Sequence, residues 1–405
     1  MNLFARLFGR KSYAISDLVK DFGLSAPVKS GVRVGRVQAL QLSTVFSCLR
    51  VLGEGVAQVP LKLMRKQGRD LESATDHDLY DILAHQPNGW MTSFELRELM
   101  VWHAALCGAG HCFINRGTGG RILELIPLQA GSVVTKQFAD YSLQYTVSAP
   151  SGAQQVFPAE SIWTVRGPSW NGFEGLEVLK LAREAIGLSL AAEEHHARVH
   201  SNSAAPSGLY SVDGQLTPDQ YKALRTWLDN EFTGLQNIAR PMILDRNAKF
   251  TPYAFKGVDL QHLETRKFQI EEVCRFFRVM PIMVGYSDKA ATYASAEQMF
   301  LAHLVHTLMP WYSRIEQSAN AKLLSRPERK AGLYVKFYER GLLRGAMKDE
   351  AEYLSKLVER GVLTRNEARE LMERNPLDGL DKPLTPINLT ADLSPVEPPQ
   401  GNANA

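Results

Sequence analysis

The spacing of apolar positions divides the first part of the chain into helical and extended stretches. Apolar side chains recur every three or four residues at Val45, Leu49, Leu52 and Val56. This spacing predicts a helix, which Pro60 ends before the short strand-like sequence LKLMRK. A second helix is predicted after Thr75. A third begins at Thr92 and Glu95, whose side chains form a capping box, and runs to about Cys107.

From His111 to Val165 the pattern changes to short runs that are rich in β-branched and aromatic residues. These runs are CFINR, RILELIPL, SVVTKQ, LQYTV and SIWTVRG. Gly, Pro and Asp separate them, as they do at turns between neighbouring strands. The pattern therefore predicts an antiparallel β region.

Two long helices are predicted in the middle of the chain. The first spans about Gly175 to Val199 and carries one stripe formed by Leu181, Ala185, Leu188 and Ala192. The small residues of this stripe permit close approach of a neighbouring helix. The second spans Asp259 to Arg278, with an apolar face formed by Leu260, Leu263, Ile270, Val273 and Phe277.

An α/β insert is predicted between the two long helices, from Ala205 to Phe255. It contains a strand GLYSV, a helix and the sequence PMILDRNAKFTPYAF. The helix begins with Thr217, Pro218 and Gln220, which combine a capping box with proline at the first helical position, and it ends at Gly234. Four of its residues are expected to pack on the flanking strands: Tyr221, Leu224, Trp227 and Leu228.

The last third of the chain is predicted to be helical. A polar loop, 286–294, follows the helix end at MPIMVG and precedes a helix capped by Ser295 and Gln298. Pro310 lies inside this helix, where its missing N–H and its ring are expected to produce a kink. The last folded unit spans 341–375.

The two chain ends differ in composition from the rest of the sequence. Residues 1–38 mix Gly, Ser and basic residues without lasting periodicity, which favours a flexible arm. The last predicted helix begins with a capping box of Thr364 and Glu367. Beyond Pro376 the chain is rich in Pro, Asn and Asp, which predicts a disordered tail.

Composition restricts the classes of function. The 405 residues are 45% hydrophobic, enough for a sizeable core, and carry a net charge of only +3. So small a charge would not hold a polyanion tightly, so any DNA contact is expected to be transient. The four cysteines lack CxxC spacing, which suits reduced, buried thiols. The sequence shows neither a signal peptide nor a stretch apolar enough for a membrane helix.

Three clusters could carry chemistry: His195, His196 and His200; His111 and Cys112; and His303 and His306. The first has helical spacing for zinc, but HHARVH lacks the glutamate of a HExxH motif, so a polar helix end is favoured. His111 and Cys112 are adjacent in sequence, so their side chains point in different directions. This argues against a nucleophilic cysteine activated by the histidine as its base. The third is more typical of interface histidines. With no GxxxxGK[ST] loop either, we expect no ATPase activity, no metal, no cofactor and no enzyme.

Several strings, taken together and in order, resemble the large siphovirus-type family of tailed-bacteriophage portal proteins. They are PNGWMTSFELREL at 87–99, AREAIGLSLAAEEHHAR at 182–198, LETRKFQIEEVCRFFRV at 263–279 and MPWYSRIEQ at 309–317. The resemblance covers about residues 40–380. It implies an α+β portal fold and a ring of subunits, usually twelve, around a DNA channel.

The resemblance also implies a division into subdomains. These are a flexible N-terminal arm (1–38), a β-rich wing (39–172), a first stem helix (173–204), a small α/β clip (205–257), a second stem helix (258–281), a channel loop (282–295), a kinked helix that returns to the wing (296–340), a short helical crown (341–376) and a disordered tail (377–405).

By the same resemblance, two groups of residues are expected to meet partners. The channel-loop residues expected at the DNA are Tyr286, Ser287, Asp288, Lys289, Thr292 and Tyr293. The clip residues expected to dock the packaging motor and the tail adaptor are Asp219, Asp229 and Glu231. Near-neutral stem helices suit a conduit, because phosphate-neutralising cations would slow sliding DNA.

The implied function is that of a head-to-tail connector at the portal vertex of the virion, assembled in the bacterial cytoplasm. Its implied partners are other copies of itself, double-stranded DNA, the terminase large subunit, the major capsid and scaffolding proteins and a head-tail adaptor, with no membrane. A ring built by one repeated contact needs two different complementary surfaces, and the stripe on the first stem helix is one candidate. Two alternatives stay open: another capsid or tail-adaptor ring protein, and a metal-dependent hydrolase that uses His195, His196 and His200.

Overall fold

A computed structural model describes most of the chain. The described residues are 28–149, 151–201, 208–211, 217–232, 249–252, 258–286, 293–338, 346–372 and 374–384. The predicted tail from residue 385 onwards and the first 27 residues of the predicted arm lie outside them.

The helices of the described residues are, in chain order, α1 (Arg36–Gln41), α2 (Ser43–Ala57), α3 (Asp78–Ala84), α4 (Ser93–Cys107), α5 (Val178–Leu181), α6 (Arg183–Ser201), α7 (Pro218–Phe232), α8 (Val258–Phe277), α9 (Tyr293–His303), α10 (Met309–Lys322), α11 (Arg326–Lys330), α12 (Ala346–Glu359) and α13 (Arg365–Leu371). The strands are β1 (Leu61–Gln67), β2 (Asp70–Ser73), β3 (Ala109–Arg116), β4 (Ile122–Pro127), β5 (Val133–Gln137), β6 (Leu143–Ser148), β7 (Gln154–Pro158), β8 (Ile162–Arg166), β9 (Gly208–Ser211), β10 (Lys249–Pro252) and β11 (Leu333–Phe337).

The strands of the described residues form small sheets in which every pairing is antiparallel. The strand orders are β11-β1-β2, β4-β3-β8, β5-β6-β7 and the pair β10-β9. The chain divides into two compact units. The larger unit contains the described residues of Leu49–Glu177 and Asp288–Ala405, and the smaller unit contains those of Lys11–Cys48 and Val178–Ser287.

The core of the larger unit forms where helices cover the sheets. In β11, Leu333, Val335 and Phe337 alternate inward and are buried, as the period of a half-buried strand requires. Trp163 of β8 is fully buried, and its indole N–H donates to the hydroxyl of Ser318 on α10 at 3.0 Å. A second cluster, under the β5-β6-β7 sheet, contains Leu128, Tyr145, Val147, Phe157 and Ile162.

In the smaller unit, α6 packs against α8, and residues that precede α1 pack on α6. Val28 and Val34 are buried, and the side chain of Val28 leaves no room for a Cβ at Gly187. The backbone N–H of Lys29 donates to the carboxylate of Glu184 at 3.2 Å. Residues 28–38 of the predicted flexible arm are therefore held against the fold.

Capping boxes located three helix starts correctly. At Thr92 the hydroxyl accepts from the Glu95 N–H, and the Glu95 carboxylate accepts from the Thr92 N–H at 2.7 Å. The same reciprocal bonds are made by Thr364 with Glu367 and by Thr217 with Gln220. Each of these three boxes depends only on residues within one turn, so the sequence alone could locate it.

Two predicted helices begin in a way that the sequence pattern did not specify. The second helix is capped by His77 rather than Thr75: its ring Nδ1 accepts from the Leu79 N–H at 3.1 Å. Nε2 of the same ring lies 3.0 Å from the Glu328 carboxylate, a partner distant in sequence. The helix predicted to be capped by Ser295 already begins at Tyr293, so Ser295 lies in its first turn.

Pro310 does not end the long helical segment around it. A π-helical turn, Leu304–Leu308, separates α9 from α10, and the N–H of Met309 donates back to the carbonyl of Leu304. The wider turn accommodates a proline that has no N–H to donate and whose ring would crowd the preceding turn. The irregularity that was predicted at Pro310 therefore takes the form of a π-helical turn just before the proline.

The other differences concern short elements. The first long helix begins later than Gly175, as α5 followed by α6. The strands β2, β7 and β11 were not predicted from their sequences, although LYVKF in β11 alternates as a half-buried strand should. The short β2 and β7 lie at sheet edges, where one side needs no partner and the sequence signal is weaker.

Candidate functional site

The two long helices of the smaller unit are the main candidate surface. Ile186 and Ser189 of α6 are buried, as is Ala182, the residue just before the helix. The Ser189 hydroxyl donates to the Ala185 carbonyl at 2.9 Å. The stripe named from the sequence lies on a different side of the helix. Leu181 is 59% exposed and Leu188 49%, so this stripe does not pack within the described part of the unit.

α8 shows the same division into a buried and an exposed side. Val273 and Phe277 are buried and Ile270 is partly buried, as the sequence predicted; the side chains of Leu260 and Leu263 lie outside the described residues. The opposite side presents Phe268, 55% exposed, and Phe276 lies on the flank between the two sides, 37% exposed. Both long helices thus have an apolar side that the described fold leaves open.

Charges along these helices are largely balanced by neighbours. Arg275 pairs with Glu271 one turn away at 3.0 Å, and Arg266 lies 3.7 Å from Glu193 on α6. All four side chains are well exposed to solvent. Exposed pairs of this kind add little to stability, and these two arginines, as far as the side chains are described, each lie beside a carboxylate, which reduces their attraction for phosphates.

The predicted channel loop lies mostly outside the described residues. A 3₁₀ turn, Pro281–Val284, ends at Gly285 with φ +79°, which confirms the predicted helix stop. Tyr286 follows, partly buried, with its N–H bonded to the Pro281 carbonyl at 3.0 Å. Ser287, Asp288, Lys289 and Thr292 are outside the described chain, as is the side chain of Tyr293 at the start of α9.

In the predicted clip, the helix is confirmed but its packing is not. Asp219 is exposed in the first turn of α7, while the side chains of Leu228, Asp229 and Glu231 lie outside the described residues. Tyr221 is 57% exposed and Trp227 36%, and Leu224 is partly buried. The prediction that Tyr221 packs inside the insert is therefore wrong, whereas Trp227 is mostly covered but not fully buried.

The pair His111 and Cys112 lies on β3, with the two side chains on opposite faces of the sheet. Cys112 is fully buried, and burial raises the pKa of its thiol well above the usual range. The ring of His111 bonds instead to the Thr164 hydroxyl at 3.0 Å and packs edge-on to Tyr145. A protonated, buried thiol that its neighbour does not face is a poor nucleophile.

His111 predicts a pH dependence of stability. Burial, together with the nearby His103 and Arg166, lowers its pKa from 6.5 to about 4, so the folded protein keeps the ring neutral. The unfolded chain binds a proton near pH 6.5, so stability is lost as the pH falls from about 6.5 towards 4. We expect His111→Gln to reduce the stability difference between pH 7 and pH 4.5 by about 2 kcal/mol, measured by urea unfolding.

The control for this experiment is His306→Gln, which removes an exposed ring. It should keep the wild-type difference between the two pH values. An unchanged difference in His111→Gln would contradict the assignment of this group.

The other predicted clusters contribute no site within the described chain. No group of three or more metal-binding side chains is present among those residues. The side chains of His195, His196 and His200 lie outside them. His303 is buried, which lowers the pKa of its ring. Among the described helices, none is long and apolar enough to cross a membrane.

Sequence reasoning missed an exposed tryptophan on a tightly bonded loop after β8. Asn171 Oδ1 accepts from the N–H groups of Phe173 and Glu174, and the Ser169 hydroxyl accepts from the Gly172 N–H at 2.9 Å. The loop presents Trp170 with 92% of its surface exposed. The signal was available, because Ser, Asn and Gly at this spacing favour side-chain-capped turns.

The C-terminal helices are fastened to the β1–β2 hairpin by polar contacts. Arg69 pairs with Asp381 at 2.8 Å and lies 3.9 Å from Glu370 on α13. The backbone N–H of Leu71 donates to the side-chain carbonyl of Asn375 at 2.8 Å. Sequence periodicity located these helices but gave no indication of where they would dock.

The described fold, with small antiparallel sheets, two long helices and a helical C-terminal segment, matches solved structures. The fold matches a crystal structure of an HK97 family phage portal protein from Corynebacterium diphtheriae, with a TM-score of 0.53 and 17% identity over 76% of this chain and 96% of that one. It also matches a chain in the neck of a native gene transfer agent particle computed with C12 symmetry, with a TM-score of 0.59 and 21% identity over 90% of this chain and 100% of that one. The fold is therefore that of a portal subunit.

Sequence comparison gives the family. Residues 43–373 match the family model described as phage portal protein, and the chain belongs to this family. The portal protein of Enterobacteria phage HK97 is 28% identical over 84% of this chain and 81% of its own length. The probable portal protein of Streptomyces phage phiC31 is 28% identical over 96% of this chain and 89% of its own.

Proposed function

We propose that this chain is the repeating subunit of a portal ring, the head-to-tail connector at one vertex of a tailed-phage capsid. The observation that carries the proposal is the shared fold with a neck subunit: the match extends over the whole of that chain, in a neck computed with C12 symmetry. A ring of about twelve copies with a central channel follows from that likeness. DNA would enter the capsid through this channel during packaging and leave through it during ejection.

The charge of the long helices supports a conduit more than a DNA-binding surface. A channel that lets DNA move in both directions should neutralise few phosphates, since each neutralised phosphate adds affinity. The described cations on α6 and α8 include Arg266 and Arg275, which lie beside carboxylates of Glu193 and Glu271. The net charge of the whole chain, +3, fits the same requirement.

Within this proposal the subdomains and partner contacts keep the roles expected from the sequence. α6 and α8 form the stem, and the segment that contains α7 forms the clip, where Asp219, Asp229 and Glu231 meet the terminase large subunit and later the head-tail adaptor. The channel-loop residues Tyr286 to Tyr293 contact DNA, with Lys289 as the cation. The larger unit forms the wing and the crown and meets capsid and scaffolding proteins.

Ring assembly is the test of the proposed function. We expect the purified full-length chain to form closed rings with a central hole in negative-stain images. Their mass by light scattering should be about twelve times that of the 45.2-kDa chain. Only monomers or dimers at micromolar concentration, also after co-expression with the phage scaffolding protein, would contradict the proposal.

The position of the ring separates a portal from a tail adaptor. A portal is expected in empty capsids that have not yet received DNA or a tail, where antibody labelling should find it at one vertex. Detection only in tailed particles would favour the adaptor alternative.

A further inference from the structure

Two of the four cysteines of this chain meet inside the smaller unit. Cys48 lies on α2 and Cys274 in the last turn of α8, 226 positions apart in sequence, yet their sulfur atoms are 3.8 Å apart. Both side chains are buried, with exposures of 0% and 1%. The sequence contains no CxxC spacing that would indicate such a pair, because packing brings the two thiols together.

The distance between the sulfurs is that of two atoms in contact. A disulfide requires about 2.05 Å, so the sulfurs of Cys48 and Cys274 must approach each other by about 1.8 Å. Rotation about the Cα–Cβ bonds moves both sulfurs. Cys274 also lies where a helix ends, and helix ends open more readily than helix centres. A small local movement is therefore enough to allow bond formation.

The hydrogen bond between the two thiols makes one of them the more acidic. This bond raises the pKa of Cys48 and lowers the pKa of Cys274, and burial raises the pKa of Cys48 further. Cys274 therefore loses its proton first, and its thiolate keeps the S–H of Cys48 as a donor. A thiolate is the reactive form of cysteine towards oxidants.

Burial of both sulfurs restricts the class of oxidant. Oxidised glutathione reacts through a mixed disulfide, which the fold would have to open widely to admit. Hydrogen peroxide is little larger than a water molecule, so a local opening of the helix end is sufficient for its entry. The chemistry of the pair therefore favours a small peroxide.

The reaction with a peroxide proceeds in two steps. The Cys274 thiolate attacks one oxygen of hydrogen peroxide, so that an S–O bond forms, the O–O bond breaks and hydroxide leaves. The sulfur of Cys48 then attacks the sulfenic acid, so that the S–S bond forms and the S–O bond breaks. The oxygen leaves as water with the proton of Cys48, and the hydroxide takes up the proton first lost by Cys274. In total, two thiols and one peroxide give one disulfide and two water molecules.

We propose that Cys48 and Cys274 form an oxidation site, which hydrogen peroxide converts to a disulfide between α2 and α8 of the same subunit. A reducing compartment keeps the pair as thiols, and an oxidising one makes the bond available. The disulfide closes a loop that spans 226 positions. It thereby restricts the unfolded chain and stabilises the folded one. This oxidation site is independent of the ring assembly proposed above.

Peptide mapping of the folded, full-length chain tests the site. The chain is treated with hydrogen peroxide, catalase removes the excess, free thiols are alkylated in denaturant, and the digest is analysed by mass spectrometry. We expect the chain to lose two of its four free thiols and to yield a linked peptide pair that contains Cys48 and Cys274. Cys112 is an internal control, since its thiol is equally buried and should still be alkylated.

Thermal unfolding provides a second measure. We expect peroxide treatment to raise the melting temperature of the wild-type chain by about 5 °C or more, because the closed loop is long, and a reductant to reverse the change. Cys274→Ala is the variant that cannot form the bond, and Cys112→Ala is the matched control at a buried cysteine of the larger unit. Cys112→Ala should respond to peroxide like the wild type, whereas Cys274→Ala should not gain stability.

Three results would overturn the proposal, and the wild-type chain alone is sufficient to detect them. One is linkage of Cys48 to Cys274 only after the chain has been unfolded. Another is oxidation of Cys274 to a sulfinic acid while Cys48 remains free to be alkylated. The third is crosslinking between subunits instead of within one, which a non-reducing gel would show as species larger than the monomer.

Discussion

Replacing Arg97 by methionine is expected to lower the free energy of unfolding by about 3 kcal/mol, because buried carbonyls lose their donor. Arg97 on α4 is only 7% exposed. Its guanidinium donates to the carbonyl of Ala57 at 2.8 Å and to that of Leu83 at 3.3 Å, and also to the Ser93 hydroxyl. Ala57 is the last residue of α2, and Leu83 lies in the last turn of α3.

These carbonyls are helix-terminal acceptors without partners in their own helices, and the negative ends of two helix dipoles face the cation. Burial lowers the pKa of Arg97 to about 10, so the side chain remains charged near neutral pH. Methionine fills a similar volume but donates no hydrogen bond. Arg97→Lys should also destabilise, since a single ammonium cannot reproduce the planar fork of the guanidinium.

The measurement is chemical denaturation followed by circular dichroism, with Arg50→Met as the matched control. Arg50 is about half exposed and pairs with Glu54 one turn away, so its loss should change stability by about 0.5 kcal/mol or less. If Arg97→Met and Arg50→Met were equally stable, the guanidinium would not be holding the three helices together.

Gly175→Ala is expected to destabilise the larger unit by about 3 kcal/mol, because a Cβ has no space there. The added carbon would lie inside van der Waals contact of the Gly108 carbonyl. Gly108 ends α4 with φ +86°, and its carbonyl accepts from the Gly167 N–H at 2.8 Å. Since both sides of the contact are backbone, no side chain can rotate to relieve it.

Two further glycines serve as controls for the same change. Gly89→Ala should have little effect, because no atom lies within 4 Å of the added carbon. Gly152, with φ +84° and open surroundings, isolates backbone strain, and Gly152→Ala should cost about 1 kcal/mol. Thermal unfolding of the three variants should show the largest destabilisation for Gly175→Ala, less for Gly152→Ala and least for Gly89→Ala. Equal melting temperatures for Gly175→Ala and Gly152→Ala would exclude the steric explanation.

Much of the fold was predictable because its signals are local. The capping boxes at Thr92, Thr217 and Thr364 each involve residues within one turn, and the structure places all three helix starts as predicted. The spacing of Val45, Leu49, Leu52 and Val56 likewise identified a helix side that is buried. Combined with the ordered strings that resemble portal proteins, these local patterns were enough to predict the family.

The candidate surfaces were predictable only in part. The sequence identified the apolar row on α6, but α6 carries apolar and small residues on two sides, and its periodicity does not decide which side is buried. The side with Ile186 and Ser189 packs inward, and burial of Ser189 costs little because its hydroxyl donates to the Ala185 carbonyl. Tyr221, expected inside the insert, is exposed for a similar reason: hydrophobicity alone does not say what an apolar side chain meets.

By itself, the sequence determined the order and type of most helices and strands, the balance of charge along the long helices and the portal family, because these depend on nearest neighbours or on residue order. The tertiary structure alone decided that His77 caps α3, that a π turn accommodates Pro310 and that Arg97 bridges the ends of two helices. The Arg97 bridge and the contact of His77 with Glu328 join residues that are distant in sequence, and the free energy of burying a polar group is fixed by the partners that packing supplies.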